Sequence, residues 1–320
     1  MPLISSDFKP SIPFRNGHAS TIYSALLRKP VKPGQERERL ILPDGDFLDL
    51  DWTRKDEPRD RLILLLHGLE GNAQRPYMLG SAGIFSENGY DVCAVNFRGC
   101  SGEPNLRFRS YHSGATEDLS AVLQHILKRY DYEKIFLKGF SLGGNLILKF
   151  LGERSELTRH ITAAAVISVP CDLHDSLIQL NRPANWLYAQ RFLKSLREKV
   201  AEKQSRFPDA LDQGGVDQIK SLKDFDDIYT SRAHGFKDAL DYYQKCSSLQ
   251  FIESIATPTL LLNAKNDSFL GAKCYPEERC RDHAYVHFES PRFGGHVGFV
   301  TAGSYYYSEK RSLEFLSFVK

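Results

Sequence analysis

Residues 136–150 constrain the fold of this 320-residue chain more than any other stretch. The apolar residues Phe136 and Leu137 lead into Gly139-Phe140-Ser141-Leu142-Gly143-Gly144, and Leu146 to Phe150 lead out with helical spacing. This reads as a buried strand that turns sharply into a helix, with Ser141 at the apex. Such an apex crowds the backbone, and Gly139 and Gly143 remove the side chains that would collide two residues either side. Ser141 then stands clear of the sheet at a helix start, where unpaired N–H groups and the helix dipole favour a developing negative charge. The plainer reading is a glycine-rich strand–helix turn carrying an incidental serine. The residues downstream decide against it.

A second constellation is His67-Gly68-Leu69-Glu70-Gly71, directly after the apolar run Leu62–Leu66. A glycine-flanked loop at the end of a buried strand can aim a backbone N–H at the nucleophile. The N–H of Leu69 with that of Leu142 would form a two-donor oxyanion hole, while the His67 side chain reads as a structural brace. Asp267 follows the apolar strand signal Thr257–Ala264, and His296 sits in a glycine turn after the strand signal Ala284–Glu289. Each of Ser141, Asp267 and His296 thus ends a strand, and the three lie at one edge of the sheet. Ser141 is too weak an acid to attack unaided and needs a base. His296 can take and return its proton near neutrality, and Asp267 would fix the imidazole tautomer. The rivals are Asp172 as the acid, Cys100 as nucleophile, and His18, His112 or His234 as base.

The rest of the chain organises around these residues. Residues 1–35 form a proline-rich N-terminal arm, read as irregular apart from a helix near Ile22–Leu27. Arg39–Leu42 and Phe47–Trp52 make a hairpin around Asp44-Gly45. Residues 1–170 and 251–320 supply a sheet with covering helices. Residues 171–250 lack strand signals and are dense in aromatics, so they read as a helical cap insertion over Ser141. Within it Tyr188, Phe192 and Leu196 share one helical face, with Arg191, Lys194, Arg197 and Lys199 around it. That basic face is read as solvated, and contact with an anionic lipid surface is its second reading. The formal net charge of +2 gives no argument for nucleic acid. No apolar run is long enough to span a bilayer, and no signal-peptide pattern opens the chain. The six cysteines fit neither a zinc site nor a disulfide framework, so reduced thiols and a cytoplasmic setting are expected.

Several motifs together resemble the YheT-like branch of the α/β hydrolases. They are Phe14-Arg15-Asn16-Gly17-His18, His67–Gly71, Asn96–Gly102, Gly139–Asn145, Phe225-Asp226-Asp227, His234-Gly235-Phe236, Tyr242-Tyr243 and Gly294–Phe299. The resemblance implies an α/β fold with a mostly parallel eight-stranded sheet, the triad Ser141, Asp267 and His296, and action on short- to medium-chain acyl esters or related lipids. The expected function is therefore a serine carboxylic-ester hydrolase acting on a small-molecule acyl ester without metal or cofactor. An acyltransferase using the same triad is the second reading, and a non-catalytic binding module on the same fold is the third.

Overall fold

The computed structural model describes residues 2–57, 59–211 and 215–319. Residues 212–214, inside the stretch expected to be helical, lie outside the described residues. One sheet is built from β1 (Leu3–Ile4), β2 (Glu36–Ile41), β3 (Phe47–Thr53), β4 (Arg61–Leu66), β5 (Asp91–Asn96), β6 (Lys134–Phe140), β7 (Ile161–Ile167), β8 (Thr259–Leu262) and β9 (Val286–Glu289). Their order is β1-β9-β8-β7-β6-β4-β5-β3-β2. Neighbours run parallel except β2 with β3 and β3 with β5.

The apolar runs form central strands because both faces of the sheet are covered. In β4, Leu62, Leu64 and Leu66 pack on one face with Ile126 and Ile147, while Ile63 and Leu65 pack on the other with Phe85 and Leu316. Alternate residues point to opposite faces, so a strand buried on both sides must be apolar throughout. Burying each such side chain contributes about 1.5–3 kcal/mol. Helix α1 (Gly17–Ile22) belongs to the arm, and the covering helices include α2 (Pro76–Glu87), α3 (Thr116–Arg129) and α4 (Leu142–Gly152). Helices α5 (Leu173–Leu180), α6 (Trp186–Arg206), α7 (Gly215–Gln218), α8 (Leu222–Phe225), α9 (Ser231–His234) and α10 (Ala239–Cys246) lie between β7 and β8. Then come α11 (Glu277–Cys280) and α12 (Tyr307–Phe318).

The sheet has nine strands where eight were expected. The extra one comes from the arm, where Leu3 and Ile4 pair with Phe288 and Glu289 of β9. Two residues carry too little periodicity to announce a strand, and the open edge of β9 supplies the pairing. The arm then forms α1, which continues as a π-helical turn over Tyr23–Leu27. Its end is fixed by a buried two-point ion pair, Arg28 Nη1 and Nη2 donating to Glu309 Oε1 and Oε2 at 2.6 and 2.7 Å.

Helices α5 to α10 share a separate apolar cluster that includes Leu177, Leu196, Val200, Tyr229, Tyr242 and Tyr243, with Leu69 of the β4 loop packed against it. Asp226 helps hold this cluster. Its carboxylate accepts from the Tyr243 hydroxyl at 2.6 Å and Thr230 Oγ1 at 2.7 Å, and burial pushes the carboxyl up to about 6. Among the described residues no helix is long and apolar enough to cross a membrane.

Strand order explains where a site can form. The chain leaves β4 toward β5 on one side and returns as β6 on the other. At such a switch point the loops after adjacent parallel strands diverge and open a crevice at their carboxyl ends. Leu66 pairs with Gly139, so the His67–Gly71 loop and the Ser141 turn leave the sheet side by side.

Candidate active site

Ser141 takes φ 51° and ψ −118°, a backbone region that side-chain-bearing residues rarely adopt. Surrounding bonds hold it there. Its N–H donates to the Ile167 carbonyl at 2.9 Å, and its own carbonyl accepts from Asn145 N–H at 3.0 Å. The flanking glycines are obligatory. A Cβ on Gly139 would sit 2.6 Å from the Gly143 carbonyl oxygen, and one on Gly143 would sit 2.5 Å from that of Leu66. The side chain is thereby presented at the start of α4.

The structure brings together three residues far apart in sequence. Ser141 Oγ lies 3.0 Å from His296 Nε2, and His296 Nδ1 lies 2.9 Å from Asp267 Oδ2 and 3.1 Å from Oδ1. An ionised carboxylate can only accept, so Nδ1 carries the proton and Nε2 is left to accept from the serine hydroxyl. The Asp267 side chain is fully buried, that of His296 nearly so. Asp267 Oδ1 also accepts from Phe269 N–H at 3.0 Å, and the Phe269 ring stacks on the imidazole at 4.2 Å between centroids.

The rivals are occupied elsewhere. Asp172 caps α5 by accepting from Asp175 N–H at 2.8 Å, and it faces Lys273 at 3.7 Å. Burial pushes the Cys100 thiol up to about 11, so it stays protonated. Burial likewise pushes His112 down to about 3 and His234 to about 2, which leaves both too weakly basic to serve near neutrality. His18 Nδ1 is engaged with the Tyr188 hydroxyl at 3.2 Å.

His67 is wholly buried and neutral, its imidazole pushed down to about 3 by burial. Nδ1–H donates to the Gly68 carbonyl at 2.7 Å, and Nε2 accepts from Phe97 N–H at 3.1 Å. It braces the loop and takes no proton. The loop's N–H groups on either side of Leu69 are already used: Gly68 N–H donates to the Tyr77 hydroxyl and Glu70 N–H to that of Tyr111. Leu69 and Leu142 line the same cavity as Ser141 and His296. As the first residue of α4, Leu142 has no partner for its N–H within the helix.

Lys199 departs from expectation. Placed by sequence on a solvated basic face, it turns inward and donates to Glu70 Oε1 at 2.8 Å. Glu70 also accepts from the Tyr111 hydroxyl at 2.7 Å and from Ser195 Oγ. Burial opposes its charge, yet the Lys199 ammonium and these donors outweigh burial and hold its carboxyl below the usual range. One side chain thus ties the loop carrying Leu69 to helix α6.

Sequence reasoning also missed the arm's part in the site. Thr21 Oγ1 accepts from His296 N–H at 2.8 Å, and Ser20 Oγ and Ser24 Oγ donate to the carbonyls of Gly294 and Val297. From the strand side, Ser168 Oγ accepts from Val297 N–H at 2.9 Å. The one available signal was the motif Phe14–His18, given above only as part of the family resemblance, whose Asn16 caps α1 by accepting from Ala19 N–H. A cavity of about 150 Å³ opens at Ser141 and His296, walled by Leu173, Leu177, Leu196, Val200 and Phe269 among others. Among the described residues no group of three or more His, Cys, Asp or Glu is placed to hold a metal.

Comparison with known proteins adds a family. The model of the alpha/beta hydrolase fold matches residues 61–296. YheT of Escherichia coli (strain K12) is 34% identical over 302 residues, covering 92% of this chain and 88% of its own. Mouse phospholipase ABHD3 is 31% identical, covering 93% of this chain and 74% of its own. The monoacylglycerol lipase of Saccharomyces cerevisiae (strain ATCC 204508 / S288c) is 28% identical, covering 88% and 64%. Among solved structures, the Pyrococcus furiosus esterase Pf2001 shares the fold with a TM-score of 0.59 at 18% identity, over 91% of this chain and 98% of its own.

Proposed function

This chain belongs to the alpha/beta hydrolase family, and we propose that Ser141, His296 and Asp267 are the triad with which it cleaves short- to medium-chain acyl esters. That it is a carboxylic-ester hydrolase follows from the family and its esterase and lipase relatives. The observation that carries the residue assignment is the unbroken chain Ser141 Oγ, His296 Nε2, His296 Nδ1, Asp267 Oδ2, with 3.0 and 2.9 Å links.

In this reading His296 Nε2 takes the hydroxyl proton as Ser141 Oγ attacks the ester carbonyl carbon. The carbonyl oxygen becomes an oxyanion that accepts from Leu69 N–H and Leu142 N–H. Asp267 stabilises the imidazolium. The tetrahedral intermediate collapses, His296 returns the proton to the departing alcohol, and the acyl group stays on Ser141. Water, deprotonated by His296, then releases the acid and restores the serine. Labelling with a fluorophosphonate tests the reading directly. Ser141 should be modified, and the label should vanish in Ser141→Ala.

Residues 171–250 act in this proposal as the cap, and their apolar side chains receive the acyl chain. Each buried methylene contributes about 0.8 kcal/mol, close to fourfold in specificity. Across nitrophenyl esters kcat/KM should therefore rise from acetyl to hexanoyl. A flat or falling series would show that the cap lines no acyl pocket. A cytoplasmic setting fits the six cysteines, all free and buried.

Glu70 has a positioning part. Its bonds to Tyr111, Ser195 and Lys199 fix the loop that presents the Leu69 N–H. Glu70→Gln keeps the shape but replaces charge-assisted bonds with neutral ones and loosens that loop. We expect kcat to fall by about tenfold, with KM for a soluble ester changed far less. An unchanged kcat would show that the cap contact does not reach the oxyanion hole.

A further inference from the structure

Two segments of this chain share an unusual chemistry and touch each other. Residues 8–35 of the arm and 176–197 of α5, α6 and their link hold nine of the chain's 42 Lys and Arg and none of its 40 Asp and Glu. The rest of the chain is left with 33 basic residues against 40 acidic, so the near-zero net charge conceals a strong asymmetry. The same segments hold eight of the thirteen large apolar side chains that stand exposed among the described residues: Ile12, Ile22, Leu26, Leu27, Val31, Ile178, Trp186 and Leu187. Their contact is His18 with Tyr188, which hydrogen-bond at 3.2 Å with rings parallel to within 9°.

We infer that this face of the arm and the start of α6 docks on an anionic lipid bilayer. Leu187 is 72% and Trp186 58% exposed on the first turn of α6, and Arg191 and Lys194 follow on its outer side. Apolar side chains of this kind enter the headgroup boundary while neighbouring cations meet anionic lipid. A second copy of the chain is the poorer occupant, because it would set a face with eight exposed or half-exposed Lys and Arg against itself, Arg28 being the one neutralised by a buried partner. The arm is held for the task, since the buried Arg28–Glu309 pair fixes its far end.

The face also lies close to the site. On the inner side of α6, Tyr188 and Phe192 pack edge-on against Phe269, which stacks on His296. One helix thickness, about 10 Å, separates the docking side from the histidine's neighbour. A bilayer-bound enzyme would thus hold the cap side of its cavity toward the lipid. The binding claim does not depend on the catalytic assignment.

The chain carries its own reporter. It has two tryptophans, Trp52 buried and Trp186 exposed. The wild-type chain is sedimented with vesicles of phosphatidylcholine alone and of equal parts phosphatidylcholine and phosphatidylglycerol, and Trp186 emission is followed in Trp52→Phe. We expect co-sedimentation with the anionic vesicles, a blue shift of Trp186 emission, and binding weakened about tenfold or more on neutral vesicles or at high salt. Ile22→Asp with Leu187→Asp, and separately Arg191→Glu with Lys194→Glu, should each abolish the sedimentation while leaving hydrolysis of a soluble ester intact. No sedimentation of the wild-type chain with anionic vesicles overturns the proposal. So does undiminished sedimentation of both double variants, or a concentration-dependent dimer that Leu187→Asp dissolves in the absence of lipid binding. Sedimentation needs no tryptophan substitution, so a poorly folding Trp52→Phe leaves the test standing.

Discussion

Ser141→Ala should reduce ester hydrolysis by about 10³-fold or more while the protein stays folded. The loss follows from what the hydroxyl does. In the proposed reaction its Oγ, 3.0 Å from His296 Nε2, is the attacking atom, and without it no acyl-enzyme forms. Residual turnover would come from water aided by His296 and the backbone donors alone. The fold should survive because the structural bonds at this position belong to the backbone. Ser141 N–H to Ile167 and Asn145 N–H to Ser141 are both kept by alanine. Alanine meets the same strain at φ 51°, since both residues carry a Cβ. The substitution removes one side-chain hydrogen bond, a change worth about 1 kcal/mol. The measurement is kcat for a nitrophenyl ester alongside thermal unfolding. A folded variant retaining more than about a tenth of wild-type kcat would remove Ser141 from the reaction.

What the sequence made legible was local. The Leu62–Leu66 and Phe136–Phe140 runs declare central strands, because only a strand covered on both faces tolerates unbroken apolar character. The glycines around Ser141 declare the turn, since the carbonyls of Leu66 and Gly143 leave no room for a Cβ. The positions of Asp267 and His296 just after strands were readable for the same reason. The missed features are those that exist only once distant segments meet. Thr21 supports His296 across 275 positions, and Lys199 reaches Glu70 across 129. A helical wheel puts Lys199 on the side of Phe192, Ser195 and Leu196, away from Arg197 and Lys194, but says nothing of a buried carboxylate waiting on another element. Nor does a two-residue stretch such as Leu3–Ile4 show periodicity enough to predict pairing with β9.

The proposed acid, Asp267, is separable from its rival by experiment. Asp267→Asn should lower kcat by about 10²- to 10⁴-fold, whereas Asp172→Asn should leave it near wild type. Asn and Asp have almost the same shape, so position 267 can still touch Phe269 N–H and the imidazole. What changes is direction. A carboxylate obliges Nδ1 to donate, which leaves Nε2 free to accept from Ser141. An amide can present its NH2 to Nδ1 instead. That favours the tautomer with the proton on Nε2, and an Nε2–H cannot take the serine proton. The imidazolium formed during attack also loses a fully buried counter-charge 2.9 Å away. At position 172 the argument runs the other way. Asp172 caps α5 and faces Lys273 at the surface, and asparagine caps a helix nearly as well. Removing its charge should cost less than about 1 kcal/mol of stability and no chemistry. The pair of variants measured side by side decides the assignment. If Asp172→Asn is the one that loses activity while Asp267→Asn keeps it, the bond between Asp267 and His296 is structural and the acid lies elsewhere.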